Sequence, residues 1–407
     1  MDRVSRCVRV VWVAGLVSLL VVGAGPARAA LPGANGRSVV QPANGRGLLW
    51  SVKPIPFDAA SMSLSCVSAR FCLAVGADDA LARTTAMRWD GRRWRRDATP
   101  DPNPDTEDFG PNDLVGVSCT SSRDCVGVGS YVQSVGYDPA ADKQVPVYMP
   151  FAARWNGLRW SLLPFPGLPP GAPEGGLGAV SCISGRACMA VGFADEGLLA
   201  ERWDGGSWSV ESMPVPAGAT NEYLAGLSCR SATFCIAVGS YTDPVSGLDQ
   251  PLAEQWNGST WSLSVLARGA GPDPDLNGVS CTSPRACTAV GAYSTPPYRG
   301  TFQPFAERWD GTRWWFQKTP SFPSGWNDLW GVSCTSSRAC TAVGTRDLTY
   351  PLVERWDGTS WSVQRIPNAR SPRTTLEAVS CTSSAICTAV GTGSRTGIAE
   401  QSRPVQR

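Results

Sequence analysis

Apolar positions along this chain fall in short runs separated by turn residues, and the same order of runs returns seven times. Leu276–Thr319 shows the unit. Leu276-Asn277-Gly278-Val279-Ser280-Cys281 is one short strand and Cys287-Thr288-Ala289-Val290-Gly291 a second. The five residues between them (Thr, Ser, Pro, Arg, Ala) are turn formers, so the two runs predict a hairpin. Phe305-Ala306-Glu307-Arg308-Trp309 is a third strand and Arg313-Trp314-Trp315-Phe316 a fourth, joined by Asp310-Gly311, a tight-turn signal. The unit is a four-stranded antiparallel meander of roughly fifty residues, the size of a propeller blade. Glycine and proline are abundant and no 3.6-residue apolar period is sustained, so the expected class is all-β.

The ends of the chain predict how the repeats are arranged. The last unit reaches Ile398-Ala399-Glu400-Gln401 and stops where the Trp-Asp-Gly turn and a fourth strand should follow. The missing strand stands at the other end. Gly47-Leu48-Leu49-Trp50-Ser51-Val52 has the Gly-x-x-Trp-Ser spacing of Gly358 to Ser362. An N-terminal strand completing the last blade closes a ring and removes open sheet edges. The expectation is a seven-bladed β-propeller over 47–404, one domain. The closing strand is expected near 47–56, with blades starting near Met62, Asp113, Leu177, Leu224, Leu276, Asp328 and Leu376. The Pro- and Gly-rich stretches 100–111 and 164–176 read as blade connections, since the repeat resumes in register beyond each.

The first residues change the reading of the cysteines. Arg3, Arg6 and Arg9 precede an apolar core, Val10 to Val22, and Ala27-Arg28-Ala29 is a small-x-small cleavage site. Residues 1–29 read as a signal peptide and 30–46 as a flexible N-terminal segment. The expected location is extracellular and bacterial, with no membrane insertion after cleavage. Cys7 leaves with the signal. The remaining fourteen cysteines are Cys66/Cys72, Cys119/Cys125, Cys182/Cys188, Cys229/Cys235, Cys281/Cys287, Cys334/Cys340 and Cys381/Cys387. In an oxidising compartment this set reads as one local disulfide per blade, because a local pairing can be made identically in every copy. Zinc is the competing reading, but its paired ligands prefer closer spacing and the chain contains no histidine.

Removal of the signal takes the formal charge from +2 to about −1, losing four arginines and Asp2. A near-neutral chain predicts no nucleic-acid partner. The expected state is a monomer with no cofactor.

The Ser-Cys-x5-Cys-x-Ala-Val-Gly and Glu-Arg-Trp-Asp-Gly-x-x-Trp-Ser pieces resemble a broad group of secreted actinobacterial repeat proteins, propeller-like and largely uncharacterised. Blade length and the Trp-rich turn are also similar to kelch and WD40-type repeats, although the double glycine of kelch is absent. The resemblance implies the propeller and carries no catalytic residue across.

The recurring side chains read as structural. Trp309 and Trp314, with equivalents in almost every blade, suit blade packing better than a single ligand site. Glu201, Glu254, Glu307, Glu354 and Glu400 and their neighbours Arg202, Arg308 and Arg355 are expected to pair with adjacent strands or blades. A function is sought where the repeat varies. The disulfide and Trp-Asp-Gly turns share one face of the disc and barely change. The opposite face carries all the length variation, in 99–112, 130–150, 240–251 and 292–304, and insertions gathered on one face mark a binding face. Two residues after the Val-Gly glycine stand Tyr131, Tyr241 and Tyr293 in three blades, but Asp78 and Arg346 in two others. These five, with Trp326 and Trp330, are the candidate ligand residues, and Tyr137, Tyr148, Tyr298, Phe302 and Tyr350 lie in or beside the same loops. The acidic run Asp101, Asp105, Glu107, Asp108 and Asp113 lacks the ordered spacing of a calcium loop.

Without histidine there is no Ser-His-Asp or Cys-His catalysis. A binding or scaffolding propeller recognising a glycan, a cell-wall polymer or a protein is the first reading. A glycoside hydrolase or lyase using carboxylate or tyrosine chemistry is the second, and an acidic pair at the channel mouth would favour it. No catalytic or metal-ligating residue is singled out.

Overall fold

Seven four-stranded antiparallel sheets follow one another in a computed structural model that describes residues 48–404, apart from 56–59, 79–82, 104–111, 139–141, 166, 170, 196, 268, 296–300, 367–373 and 394–396. The predicted signal peptide and residues 30–46 lie outside this range, as do Asp105, Glu107, Asp108 and Tyr298. Blade five is typical, with strands Asp275–Ser283, Ala286–Ser294, Phe302–Trp309 and Trp314–Lys318 in sequential order. The seventh blade is assembled from both ends of the chain: Leu48–Pro54 pairs with Gly397–Pro404, followed by Ile386–Thr392 and Ala378–Ser383. The split that the sequence implies closes the ring.

All seven expected disulfides are formed, between residues directly opposite on the first two strands, with Cα atoms 3.9–4.0 Å apart. They are Cys66–Cys72, Cys119–Cys125, Cys182–Cys188, Cys229–Cys235, Cys281–Cys287, Cys334–Cys340 and Cys381–Cys387. The bridges close the hairpins of one face, and their second cysteines reach into the core. The second cysteine of every pair (Cys72, Cys125, Cys188, Cys235, Cys287, Cys340 and Cys387) is only 1–4% exposed, so none of them meets a ligand at the surface. The cause is register. Cys72 stands opposite Trp89, Cys125 opposite Trp155, Cys188 opposite Trp203 and Cys235 opposite Trp256, and each shares a packed cluster with that indole. Sulfur and indole thus fill the blade interface together, and the cysteines belong to the core.

The hairpin is tighter than the five intervening residues suggest. Ser283 pairs with Ala286, a register shift absorbs Thr282, and the turn is only Pro284-Arg285. The same shift recurs after the first cysteine of every blade. The Val-Gly glycine has a physical reason too. A Cβ on Gly291 would lie 1.9 Å from the carbonyl oxygen of Asp275, and one on Gly344 would lie as close to that of Asp328.

The first strands line the hub. Each Ser-Cys serine accepts, through its Oγ, the backbone N–H of the first cysteine in the next blade. Cys119 donates to Ser65 at 3.0 Å, Cys334 to Ser280 at 2.9 Å, and Cys66 to Ser380 at 3.0 Å across the closure. The other four blade boundaries make the same bond. These seven bonds run between first strands, so the first strand is innermost.

The core lies between blades. The face of blade four that carries Leu252 and Trp256 packs on Met189, Val191 and Ala200 of blade three, and the pattern repeats around the disc. In six blades the two tryptophans of the outer turn are tilted against each other at 5.5–6.1 Å. The first indole of each pair donates to a carbonyl of its own disulfide hairpin, as Trp309 does to Pro284 at 3.0 Å. The glutamates depart from expectation. Glu201, Glu254, Glu307 and Glu354 are completely buried and form no ion pair among the described residues, where Glu307 accepts only the N–H of Ala267. Their arginine neighbours face elsewhere: Arg202 pairs with Glu211 on the next strand, and Arg308 lies over Trp356 of the next blade.

Candidate binding face

The loop face is built at the far end of the inner strands from the disulfides, where second strands turn into third strands and each blade connects to the next. The sequence-predicted residues divide here into two groups.

The first group is spread over separate blade cores. Tyr131 is half-buried with its ring edge-on to Phe151 at 6.1 Å, and Tyr293 stands likewise against Phe305 at 6.0 Å. Tyr241 packs on the interface of blades three and four, and burial with the nearby Asp243 raises its phenol. The three rings belong to three different clusters, so they do not converge on one site. Asp78 is buried and bonded to Arg96 at 3.0 Å, the side of a structural ion pair.

The second group comes together in blades five and six. Trp326 stacks on Phe302 at 4.1 Å, and the two residues form a parallel bridge between the blade connection and the third strand of blade five. Gln303 fixes that connection, donating to the Phe322 carbonyl and accepting the Phe322 N–H, both at 2.8 Å. Asn327, wholly buried, donates to the carbonyls of Phe302, Ser324 and Gly325. On either side of it stand Trp326 and Asp328. Asp328 gathers both indoles, accepting from Trp330 at 2.9 Å and from Trp326, while Asn277 of blade five donates to it at 3.0 Å. Arg346 pairs in register with Asn327, is exposed, and holds its guanidinium 5.3 Å from the ring of Tyr350.

The turn beyond Arg346 is strained. Asp347 and Leu348 have φ of 57° and 49°, a conformation that costs a bulky residue such as leucine on the order of 1 kcal/mol or more. The bond from Leu348 N–H to the Trp326 carbonyl holds that turn against the aromatic platform.

Sequence reasoning missed the carboxylates at this platform. Asp275 and Asp328 occupy equivalent positions in adjacent blades, six residues before the first cysteine. Burial pushes both well above the usual carboxylate range, and the charge of Asp328 adds to the rise at Asp275, so the two resist ionising together. The signal was present in the chain: that position is Asp113, Asp275 or Asp328 in three blades and Ala60, Gly176, Tyr223 or Thr375 in the rest, as uneven as the tyrosine position. Among the described residues no group of three or more Cys, Asp or Glu side chains is placed to share a metal ion. No described helix is long and apolar enough to cross a membrane.

Comparison with known proteins places this arrangement on a widespread scaffold. No family model and no curated protein matches the chain. Among solved structures, YCF48 bound to D1 peptide is similar over 90% of this chain and 99% of its own, with 14% identity and a TM-score of 0.55. U3-55K is similar over 86% of this chain and 98% of its own, with 10% identity and a TM-score of 0.52. A GH74 xyloglucanase from Xanthomonas campestris is similar over 86% of this chain and 55% of its own, with 12% identity and a TM-score of 0.50. At these identities the likeness is one of fold. The protein is a seven-bladed β-propeller with a disulfide in every blade.

Proposed function

We propose that this is a secreted, extracellular bacterial binding propeller that holds a glycan or cell-wall polymer on the loop face of blades five and six. The observation that carries the reading is the platform of Phe302, Trp326 and Trp330, half-exposed and locked by one buried carboxylate. Sugar rings pack on indole faces, and a face whose rotamer is already fixed loses little entropy on binding. Arg346 and Tyr350 at its edge supply the charged and polar contacts that orient a ligand. The seven disulfides suit an oxidising compartment, in keeping with the signal peptide read in residues 1–29. One of the similar propellers is described with a bound peptide, so a protein ligand is the alternative occupant of the same platform.

Mature protein on a glycan and cell-wall-polymer array tests this directly. The Trp326→Ala/Trp330→Ala variant is expected to lose binding by about tenfold or more, two stacking contacts at roughly 1 kcal/mol each. A Tyr131→Phe variant, altered in another blade, keeps it. Binding unaffected by the double tryptophan change overturns the platform.

The Asp275–Asp328 pair supports a second reading, hydrolysis or lysis of the bound polymer, because a carboxyl with a raised pKa is the general acid such chemistry uses. Against it, both oxygens of Asp328 already accept hydrogen bonds. Release of reducing ends by the wild type that vanishes in Asp275→Asn with binding retained would establish the enzyme.

A further inference from the structure

The disulfide face carries a charge that the near-neutral composition conceals. Its exposed turns carry Arg70, Arg92 and Arg93 in blade one and Arg123 and Arg159 in the adjacent blade two. No carboxylate lies within ion-pair distance of any of these five among the described residues. Arg186, Arg285 and Arg338 hold the same hairpin tip in blades three, five and six.

Three features make this more than a scatter of surface cations. First, the acids of the same face are engaged. Asp90 accepts the N–H groups of Arg92 and Arg93 at 2.9 Å through one oxygen and binds Arg95 at 2.7 Å through the other. Asp124 is held by Arg154 at 2.9 Å and by the Thr120 hydroxyl, and blade two has Asn156 where four other blades have aspartate. Second, the arginine stems are seated. The side chain of Arg70 lies against Gly91 and that of Arg123 against Gly157, each glycine belonging to the outer turn of the same blade. A seated stem presents its guanidinium with part of the ordering cost already met. Third, the opposite face carries acids beside its exposed Arg83 and Arg346. Asp142, Asp195 and Asp347 are exposed there, and Glu174, Asp243 and Asp273 are half-buried. Exposed arginines thus outnumber the acids over blades one and two of the disulfide face, and a local field steers an ion more than the average charge does.

We propose that the disulfide face is a second binding surface, for a linear acidic polysaccharide. Arginine forks match carboxylate groups two oxygens at a time, and cations spaced from blade to blade suit a chain whose charge repeats. Nucleobases have no platform here: Trp315, the exposed tryptophan of this face, is covered by the guanidinium of Arg313 at 3.4 Å from its ring centre. A bilayer would meet few apolar tips, chiefly Leu158 and Ile183. With a ligand platform on the other face, the protein would bridge two polymers.

Polygalacturonate and its methyl-esterified form are the probes, since they share a backbone and differ in charge. The mature protein is expected to bind polygalacturonate at low ionic strength, to release it as salt rises, and to ignore the ester. Arg92→Gln/Arg93→Gln/Arg159→Gln, at exposed turn tips, weakens binding about tenfold or more, whereas Arg83→Gln, exposed at the start of the third strand of blade one on the other face, leaves it unchanged. Retention of wild-type affinity in the triple variant, equal binding of the ester, or no binding of polygalacturonate overturns the proposal. Binding to phosphatidylglycerol vesicles without polygalacturonate also overturns it, in favour of a lipid surface.

Discussion

The two faces of the disc are cut from the same repeat but obey different rules. On the disulfide face each element is tied to its neighbour in the same way in nearly every blade: indole to hairpin carbonyl, turn aspartate to the next two N–H groups, arginine or threonine stem to glycine. On the loop face one pair of blades breaks the repeat, with Trp326 and Trp330 at positions where no other blade has an aromatic residue, beside Asp275 and Asp328. Repetition there records what the ring needs. Departure from it records what a ligand could use.

The sharpest way to break this contrast is to remove one tryptophan from each side. Trp256 is buried to 2% exposure, donates to the Ala232 carbonyl at 3.0 Å and fills the interface with blade three. Trp256→Ala is expected to cost about 3–5 kcal/mol of stability in chemical denaturation, with the cavity adding to the lost transfer energy. Trp326→Ala, half-exposed and stacked on Phe302, should cost about 1 kcal/mol. Equal losses would show that the loop-face aromatics are structural after all.

The pH dependence of stability separates the faces from the interior that joins them. Burial pushes Glu201 and Glu307 up to about 7 and Glu254 up to about 8, with Glu211 adding to the rise at Glu201, and Glu354 lies well above the carboxylate range. A folded pKa above the unfolded value near 4.3 means that the folded state holds more protons between the two. Stability from these groups is therefore full below about pH 4 and declines as pH rises through 7 and 8. At the disulfide face the sign reverses. Backbone N–H groups hold the turn carboxylate Asp204 below the ordinary range, and the Thr359 hydroxyl with backbone N–H groups does the same for Asp357, so their contribution is present above about pH 4 and is lost on acidification. The expected profile is a maximum near pH 5, a shallow acid limb and a steeper alkaline one. Glu254→Gln should flatten the alkaline limb by an amount on the order of a few kcal/mol, since each pKa unit carries about 1.4 kcal/mol. Denaturant midpoints measured from acid to alkaline pH check this, and an alkaline limb unchanged in Glu254→Gln would show that water reaches these glutamates.

Most of the fold was legible because its determinants are local and repeated. The cysteine spacing, the Asp-Gly turn and the Gly47–Val52 fragment each specify a neighbour within one blade or the complement of a broken one. Depth was not legible, because adjacency in sequence does not report it. The register that sets Glu254 opposite Leu263 also puts it on the face that carries Leu252 and Trp256, against blade three. Cys235 is buried for the same reason, its partner across the strands being Trp256. The candidate site was half legible. Trp326 and Trp330 stood out as non-repeating aromatics, but the carboxylate that unites them comes from the inner strand and is bonded by an asparagine fifty-one positions away. Such a site is made by packing one blade on the next within the closed ring, so no short window along the chain contains it.

The smallest expected effect bears on that closure. Ser280 contributes one hydrogen bond to its neighbouring blade, and an alanine there leaves the Cys334 N–H at the hub. Ser280→Ala should cost about 1 kcal/mol, less if channel water replaces the hydroxyl. Ser380→Ala removes the equivalent bond to Cys66, but at the boundary where blade seven, itself assembled from both termini, meets blade one. If the ring is uniform, the two variants lose the same stability and the double variant loses their sum, because the sites lie far apart. If closure is the weak joint, Ser380→Ala loses more and the pair loses more than the sum, since an opened ring weakens every hub bond at once. Denaturant titration of the two single variants and the double variant decides between a continuous ring and a clasped one.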